Sequence, residues 1–208
     1  MKNRARIAAM NFALHKPMSL AEFLEWEERQ PLRYEFDGVA PEAMTGGTAG
    51  HADIQANLAA ALRTRLRGKP CRFYGSDLKI QVAGDHIRYP DGIVVCTAVE
   101  RTATIVHDPV VIFEVLSPST ASTDRIVKAR EYQAKDSVQR YVMLEQDRVG
   151  ATVYTRAGDR WTFDILPEGA VLAMPEIGVE VPLAELYEGL VFEPRDDADD
   201  RPPGETVS

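Results

Sequence analysis

Cysteine is scarce in this chain, which has only two among its 208 residues. A disulfide framework needs more cysteines, and a zinc site needs more cysteines or suitably spaced histidines. Cys71 and Cys96 meet neither condition, and Cys96 directly follows the apolar run 92–95. We therefore expect no disulfide framework and no zinc site, and we predict that Cys96 is a small buried side chain.

Long apolar runs are lacking too. No stretch approaches the ~20 apolar residues that a membrane-spanning helix needs, and the N-terminus has no apolar core of a signal peptide. The sequence therefore predicts a cytoplasmic protein without a membrane partner. Hydrophobic residues at 45% and charged residues at 27% are typical of a globular chain of this length.

An excess of positive charge, the usual mark of a nucleic-acid binder, is also missing, since the net charge is −8. Charge is local, however, and residues 51–72 contain five basic side chains and a single acid, Asp53. Carboxylates that hold a metal also make the metal-free chain more acidic than its loaded form. Net charge therefore leaves nucleic-acid binding open.

The composition divides the chain into three parts. Residues 1–16 carry four basic and no acidic side chains, and they are predicted to form a loosely ordered, flexible arm. Residues 193–208 are rich in acid, proline and glycine, which predicts a disordered acidic tail. Residues 17–192 are predicted to form a single domain.

The periodicity of apolar residues predicts helices that alternate with short strands. Ser19 and Glu22 form a capping box at the start of a helix that ends near residue 29, and Asp37-Gly38 predicts a hairpin within 32–44. Further helices are predicted at 51–67, 123–136 and 183–189, and strands at 71–75, 77–82, 87–96, 110–116, 140–144, 149–156, 160–166 and 177–181. The pattern favours an α/β sandwich around a mixed sheet.

Two acidic residues lie at or inside runs that otherwise predict buried strands. Asp91 follows Pro90, which distorts a strand and can aim a side chain out of the pleat. Glu114 interrupts the apolar run 110–116. A buried carboxylate costs several kcal/mol unless it is paired or binds a metal. Because Mg²⁺ prefers carboxylate oxygens, one divalent cation could satisfy both acids.

Each of these residues also has a plain structural interpretation. Asp91 could be a turn or cap residue, and Glu114 could lie at a sheet edge or pair with an arginine such as Arg140. Lys128 follows Asp124 by one helical turn, so the two could form an exposed ion pair. The residues taken alone leave both interpretations open.

Several segments together resemble a known family. They are residues 34–38 (YEFDG), 90–96 (PDGIVVC) and 113–124 (FEVLSPSTASTD), followed by Lys128 and Tyr132. Over about residues 18–190 the chain closely resembles the Uma-type restriction endonucleases, a bacterial branch of the PD-(D/E)XK nuclease superfamily. The resemblance implies a restriction-endonuclease-like α/β core, with a central mixed β-sheet flanked by helices. Extra hairpins are expected toward both ends.

The same resemblance implies roles for individual residues. Asp91 matches the aspartate of the first motif, and Glu114 matches the first acid of the second. The lysine position of that second motif is Leu116, which cannot stabilise charge, and Lys128 on the following helix matches in its place. Glu35 resembles the additional acid that such nucleases often contribute from their N-terminal part.

Further groups complete the predicted site. The backbone carbonyl of Val115 is a predicted metal ligand, and the accessory candidates are Asp77, Asp124, Tyr132 and His51. Tyr132 shares a helix face with Lys128, although core packing suits it equally well. For His51, at a helix start, contact with a substrate phosphate is one interpretation, and we favour local hydrogen bonds instead.

These features predict an endonuclease that uses Mg²⁺ or Mn²⁺ to hydrolyse DNA phosphodiester bonds with a metal-activated water. Two alternatives stay open: a catalytically silent DNA-binding or regulatory protein with the nuclease fold, and a phosphodiesterase acting on RNA or nucleotides. A homodimer is also predicted, with strand edges in residues 149–181 as its contact.

Overall fold

The computed structural model describes residues 17–44, 46–116 and 123–192, without the side chains of residues 123–125. The predicted basic arm, 1–16, and the predicted acidic tail, 193–208, therefore lie outside the described residues. The assignment of residues 17–192 to a single domain stays a prediction. None of the helices described is both long and apolar enough to cross a membrane.

Short strands predominate in the described part of the chain. The helices there are α1 (Leu20–Glu27), α2 (Ala49–Arg65), α3 (Thr123–Gln133) and α4 (Leu183–Leu186). The strands are β1 (Tyr34–Phe36), β2 (Pro41–Ala43), β3 (Arg72–Gly75), β4 (Lys79–Gln81), β5 (Ile87–Arg88), β6 (Gly92–Val95), β7 (Ile105–Val106), β8 (Pro109–Leu116), β9 (Arg140–Glu145), β10 (Gly150–Ala157), β11 (Arg160–Pro167), β12 (Val171–Met174) and β13 (Val179–Pro182).

A six-stranded sheet forms the centre, in the order β11-β10-β9-β8-β6-β3. β8 and β9 run parallel and the other neighbours antiparallel, so the sheet is mixed as predicted. A second sheet, in the order β2-β1-β5-β4-β7, contains the predicted N-terminal hairpin, and β12 and β13 form a two-stranded sheet. The predicted C-terminal hairpin is β10 and β11.

The two faces of the central sheet pack against different helices. Phe113 of β8 lies in one core cluster with Leu58 of α2, while its neighbour Ile112 lies in another with Tyr132 of α3. Side chains alternate along a strand. Glu114 therefore projects to the α3 face of the sheet.

The predicted strand 87–96 is divided at Pro90. β5, before the proline, pairs in the five-stranded sheet, and β6, after it, pairs in the central sheet. The chain passes from one sheet to the other through residues 89–91. The predicted distortion at Pro90 is thus confirmed, and Asp91 lies where the two sheets diverge.

The other predicted elements are confirmed with small shifts of their ends. Ser19 caps α1, and Glu22 completes the capping box. α2 begins at Ala49, capped by Thr48, rather than at residue 51. The strands β7 and β12 were not predicted.

The prediction that Cys96 is simply a small buried side chain is wrong, because Cys96 forms a disulfide with Cys71. Arg72 of β3 lies opposite Val95 of β6 in an antiparallel pair, so the next residue outward on each strand is a cysteine. The pairing depends on strand register, which cysteine number and spacing do not reveal. Cys96 is also only partly buried.

β11 is an edge strand of the central sheet. Its side chains Phe163 and Ile165 are exposed to solvent. An exposed apolar edge of this kind can pair with a strand of another chain. A homodimer formed through strand edges in residues 149–181 stays a prediction.

Candidate active site

A cleft of about 870 Å³ lies between the N-terminal end of α2, the β1–β2 hairpin and α3. Its charged lining consists mainly of acids, with two long basic side chains: Glu35, Glu42, Asp91, Glu114, Arg33 and Lys128. The four residues predicted to be catalytic therefore line one cavity, although they come from four separate segments of the chain.

Asp91 is anchored to two elements beyond its own turn. Its Oδ2 accepts the backbone N–H of Val115 at 2.6 Å, and its Oδ1 accepts a hydrogen bond from the Gln55 amide. The Nε2 atom of His51 lies 3.3 Å from Oδ2. Asp91 thus links β8 to α2, which a simple turn or cap residue would not do.

Glu114 is the most deeply buried acid of the cleft, with 11% of its side chain exposed. Its Oε1 accepts the Tyr132 hydroxyl at 2.7 Å. Burial raises the pKa of Glu114 to about 7, and the charges of Asp91 and Glu35 add to this rise, while Lys128 and Tyr132 oppose it. The surrounding protein therefore does not fully offset the free-energy cost of burying the ionised Glu114 carboxylate.

Arg140 does not pair with Glu114. Its guanidinium instead binds Glu176, with an Nε–Oε1 distance of 2.7 Å. The predicted pairing with Arg140 is therefore wrong, and so is a position at a sheet edge, because β8 lies between β9 and β6 in the central sheet.

Lys128 reaches the cleft from α3. Its Nζ lies 3.1 Å from Oε1 of Glu35 and 3.7 Å from Oε1 of Glu114. Burial disfavours the charge, but the two carboxylates outweigh burial and raise the pKa of Lys128. The lysine is therefore a largely buried, fixed positive charge in the cleft; its predicted pairing with Asp124 stays a prediction.

Glu35 closes the other side of the cleft from β1. Its Oε1, which binds Lys128, also accepts the backbone N–H of Tyr89 at 3.2 Å. Its Oε2 lies 3.5 Å from Nη1 of Arg88. Both carboxylate oxygens of Glu35 are therefore held by the protein.

Among the accessory candidates, Tyr132 enters the site through its bond to Glu114, and it packs in the core as well. Asp77 does not line the cleft. Its side chain is 84% exposed and pairs with Arg33 at the surface. The side chain of Asp124 lies outside the described residues.

The imidazole of His51 contacts the site, so our preference for local hydrogen bonds is wrong. Its hydrogen bond to Asp91 raises the pKa of His51; burial opposes this shift, and a hydrogen bond to the Val115 backbone supports it. Val115 therefore presents its backbone at the cleft, as the prediction of a carbonyl ligand requires.

Residues 20–184 match the sequence profile of the Uma2 family, whose description reads "Putative restriction endonuclease". The chain belongs to the Uma2 family. Membership confirms the resemblance seen in the sequence. It also supports the interpretation of the protein as a nuclease, an enzyme that acts on phosphodiester bonds.

Two relatives of this Uma2 protein come from Synechocystis sp. and are described only as uncharacterized. The protein slr1290 is 32% identical over 178 residues, which cover 84% of this chain and 94% of the relative. The protein sll1609 is 27% identical over 155 residues, which cover 73% of this chain and 88% of the relative.

One solved structure similar to this Uma2 protein is that of "a putative nuclease belonging to DUF820" from Anabaena variabilis. The two superpose with a TM-score of 0.67 at 19% identity, covering 82% of this chain and 98% of the other. At this identity the similarity concerns the fold, and it confirms the predicted nuclease-like α/β core.

The donor chemistry of the cleft in this Uma2 protein fits a hard divalent cation. Within the described ranges, no three histidine, cysteine, aspartate or glutamate side chains converge closely enough to form a metal cage. Magnesium typically needs only one or two carboxylates, together with water and phosphate oxygens. Asp91 and Glu114 supply two carboxylates, and a cation would stabilise the ionised form of Glu114, whose pKa is raised mainly by burial and further by the charges of Asp91 and Glu35.

Several residues of the site were missed in the sequence. Gln55, one helical turn after His51, binds Asp91, and the spacing of the two on α2 is the one available signal. Gln146 also lines the cleft and donates to Thr48. Gln146 has no comparable sequence signal, so only the tertiary structure reveals its contact.

Proposed function

We propose that this Uma2-family protein is a Mg²⁺- or Mn²⁺-dependent endonuclease that hydrolyses the phosphodiester bonds of DNA. The proposal rests on one observation, that Asp91, Glu114 and Lys128 line the same cleft from three separate segments. Two carboxylates and a lysine supply ligands for a hard cation and a positive charge for a phosphate. The family membership supports the nuclease part of the proposal.

Asp91 and Glu114 would hold the cation, with the backbone carbonyl of Val115 as a further ligand. When bound, the cation would neutralise charge on the phosphate and acidify the attacking water. The hydrogen bond from Val115 N–H keeps the Asp91 carboxylate beside β8, the strand of Glu114. The two acids are thus held close to their working positions by the protein itself.

Lys128 would stabilise the negative charge that builds on the phosphate during hydrolysis. Its raised pKa keeps it protonated at neutral pH. Electrostatic stabilisation is strongest where water is excluded. The Lys128 side chain is largely shielded from water, since only 20% of it is exposed. The Oε1 atom of Glu35 lies 3.1 Å from Nζ of Lys128 and orients the ammonium group, and the Glu35 carboxylate would add negative charge to the cleft that holds the metal.

A cleavage assay tests the proposal. The substrates are supercoiled plasmid, linear duplex, single-stranded DNA and RNA, each with Mg²⁺, Mn²⁺ or EDTA. We expect the wild-type protein to cut DNA only with a metal. Asp91→Asn and Glu114→Gln should each lower the rate at least about a hundredfold, while the control Asp164→Asn, at an exposed position on β11, should not.

The other outcomes separate the alternatives. Cleavage of RNA or small phosphodiesters without cleavage of DNA would indicate a phosphodiesterase of another substrate class. DNA binding without cleavage, under all metal conditions, would indicate a catalytically silent module. Wild-type rates in Asp91→Asn or Glu114→Gln protein would contradict the assignment of the site.

A further inference from the structure

A buried ion pair lies beside the cleft, between Arg88 of β5 and Glu131 of α3. The guanidinium donates from Nε and Nη2 to the two carboxylate oxygens, both at 2.7 Å. Only 6% and 8% of the two side chains are exposed. Two parallel hydrogen bonds of this kind fix the relative orientation of both groups as well as their distance.

The Arg88 guanidinium also contacts the strand on the opposite side. Its Nη1 lies 3.5 Å from Oε2 of Glu35 and 3.5 Å from the backbone carbonyl of Phe36, both on β1. Arg88 itself directly precedes the segment 89–91, through which the chain changes sheets. One side chain therefore connects α3, β1 and the approach to Asp91.

This connection bears on the position of Lys128. Glu131 follows Lys128 by three residues, so the two lie on neighbouring positions of the same α3 face. A strand is held in its sheet by backbone hydrogen bonds, whereas α3 is held against the sheet by its side chains. Fixing Glu131 consequently restricts where the Lys128 ammonium can lie.

His86 provides a third contact to the pair. Its Nδ1 lies 2.6 Å from Oε1 of Glu131. Burial by itself would raise the pKa of Glu131, but hydrogen bonds from Arg88 and His86 outweigh burial and lower it. Glu131 is therefore ionised, as a two-point contact with Arg88 requires.

We propose that Arg88 and Glu131 are positioning residues, which hold α3 so that Lys128 stays within reach of Glu35 and Glu114. The kinetic part of this inference rests on the proposed nuclease function, while the structural part does not. A buried ion pair is weak evidence for a stabilising role, because apolar residues of similar volume often serve as well. Its contacts to two elements of the cleft favour a geometric role.

The test compares two matched substitutions. Glu131→Gln keeps the shape of the side chain and removes the charge. The control is Glu176→Gln, because Glu176 forms a similar two-point pair with Arg140, at 2.7 and 3.1 Å, with 15% and 9% of the side chains exposed. Neither control residue lines the cleft. The second test variant is Arg88→Lys, which keeps the positive charge but cannot form the two parallel hydrogen bonds of the guanidinium.

Two measurements are made on the full chain: steady-state cleavage of DNA, and hydrogen exchange of the α3 amides. We expect Glu131→Gln and Arg88→Lys to lower kcat by about 10- to 100-fold, the usual effect of small misplacements, with KM within about twofold. Exchange of α3 amides should become about tenfold faster. Glu176→Gln should change neither kcat nor α3 exchange.

The proposal is overturned by an equal loss of kcat in the Glu176→Gln control, by a rise in KM with unchanged kcat, or by unchanged α3 exchange. If the wild-type protein cleaves none of the substrates, the proposed nuclease function fails. In that case the α3 exchange rates alone decide whether Arg88 and Glu131 position the helix.

Discussion

The ammonium nitrogen of Lys128 lies 3.7 Å from Oε1 of Glu114, which brings a lysine from a helix to an acid on a central strand. Leu116, two residues further along β8, shares the strand face of Glu114. It is buried in the core cluster that includes Tyr132. The positive charge therefore comes from α3, because the nearest strand position on that face is filled by an apolar side chain.

The first prediction concerns this lysine. Lys128→Ala should lower the rate of metal-dependent DNA cleavage by about a hundredfold or more, because it removes the positive charge facing the phosphate. The variant also removes the group that most lowers the pKa of Glu114. The measurement is cleavage at neutral pH. Lys69→Ala, at an exposed lysine outside the cleft lining, serves as the control and should cut at the wild-type rate.

A second prediction follows from the pKa of Glu114, which is about 7 in the folded protein. Between pH 4.5 and 7 the native state binds more protons at this residue than the unfolded state, so its contribution to stability falls as pH rises. Glu114→Gln removes this dependence. In metal-free buffer, the unfolding free energy of the variant, relative to that of the wild type, should rise by about 2–3 kcal/mol between pH 5 and 8.

Urea unfolding at both pH values measures this difference. A difference between the two proteins that does not change with pH would mean that Glu114 titrates normally in the native state. The uncompensated charge that a cation is proposed to neutralise would then be absent.

The third prediction concerns Tyr132, whose hydroxyl donates to Glu114. Tyr132→Phe should lower the unfolding free energy by about 1–3 kcal/mol, the usual result when a buried acceptor loses its donor, and it should also slow cleavage. Tyr187→Phe is a matched control, since the single proton of that buried hydroxyl is shared between the carbonyls of Glu145 and Gly150, which lie 2.8 and 2.7 Å from the hydroxyl oxygen. The control should lose similar stability and retain the wild-type rate. Cleavage at the wild-type rate by the Tyr132→Phe protein would show that Tyr132 has no role in the reaction.

Much of the fold could be predicted because its signals are local. The apolar run around Glu114 indicates a buried strand, and Pro90 marks the point where the chain changes sheets. β7 has only two residues and β12 only four, which is too short for a readable period. The disulfide depends on which residues of β3 and β6 lie opposite each other, and local patterns do not define that register.

The site could be predicted in part for the same reason. An acid on a buried strand is conspicuous, so Asp91 and Glu114 stand out in the sequence. Gln55 and Arg88 do not, because their roles depend on contacts between distant elements. Asp77 shows the opposite error, since its sequence context resembles that of a site residue while its side chain points to solvent.

A crystal structure with Mn²⁺, located by its anomalous scattering, tests the central claim most directly. We predict one manganese ion in the cleft, bound at about 2.1 Å by carboxylate oxygens of both Asp91 and Glu114. The ion should be lost in crystals of the Asp91→Asn protein grown and soaked in the same way. A cleft without manganese at saturating concentration, or an ion that persists unchanged in the variant, would contradict the account.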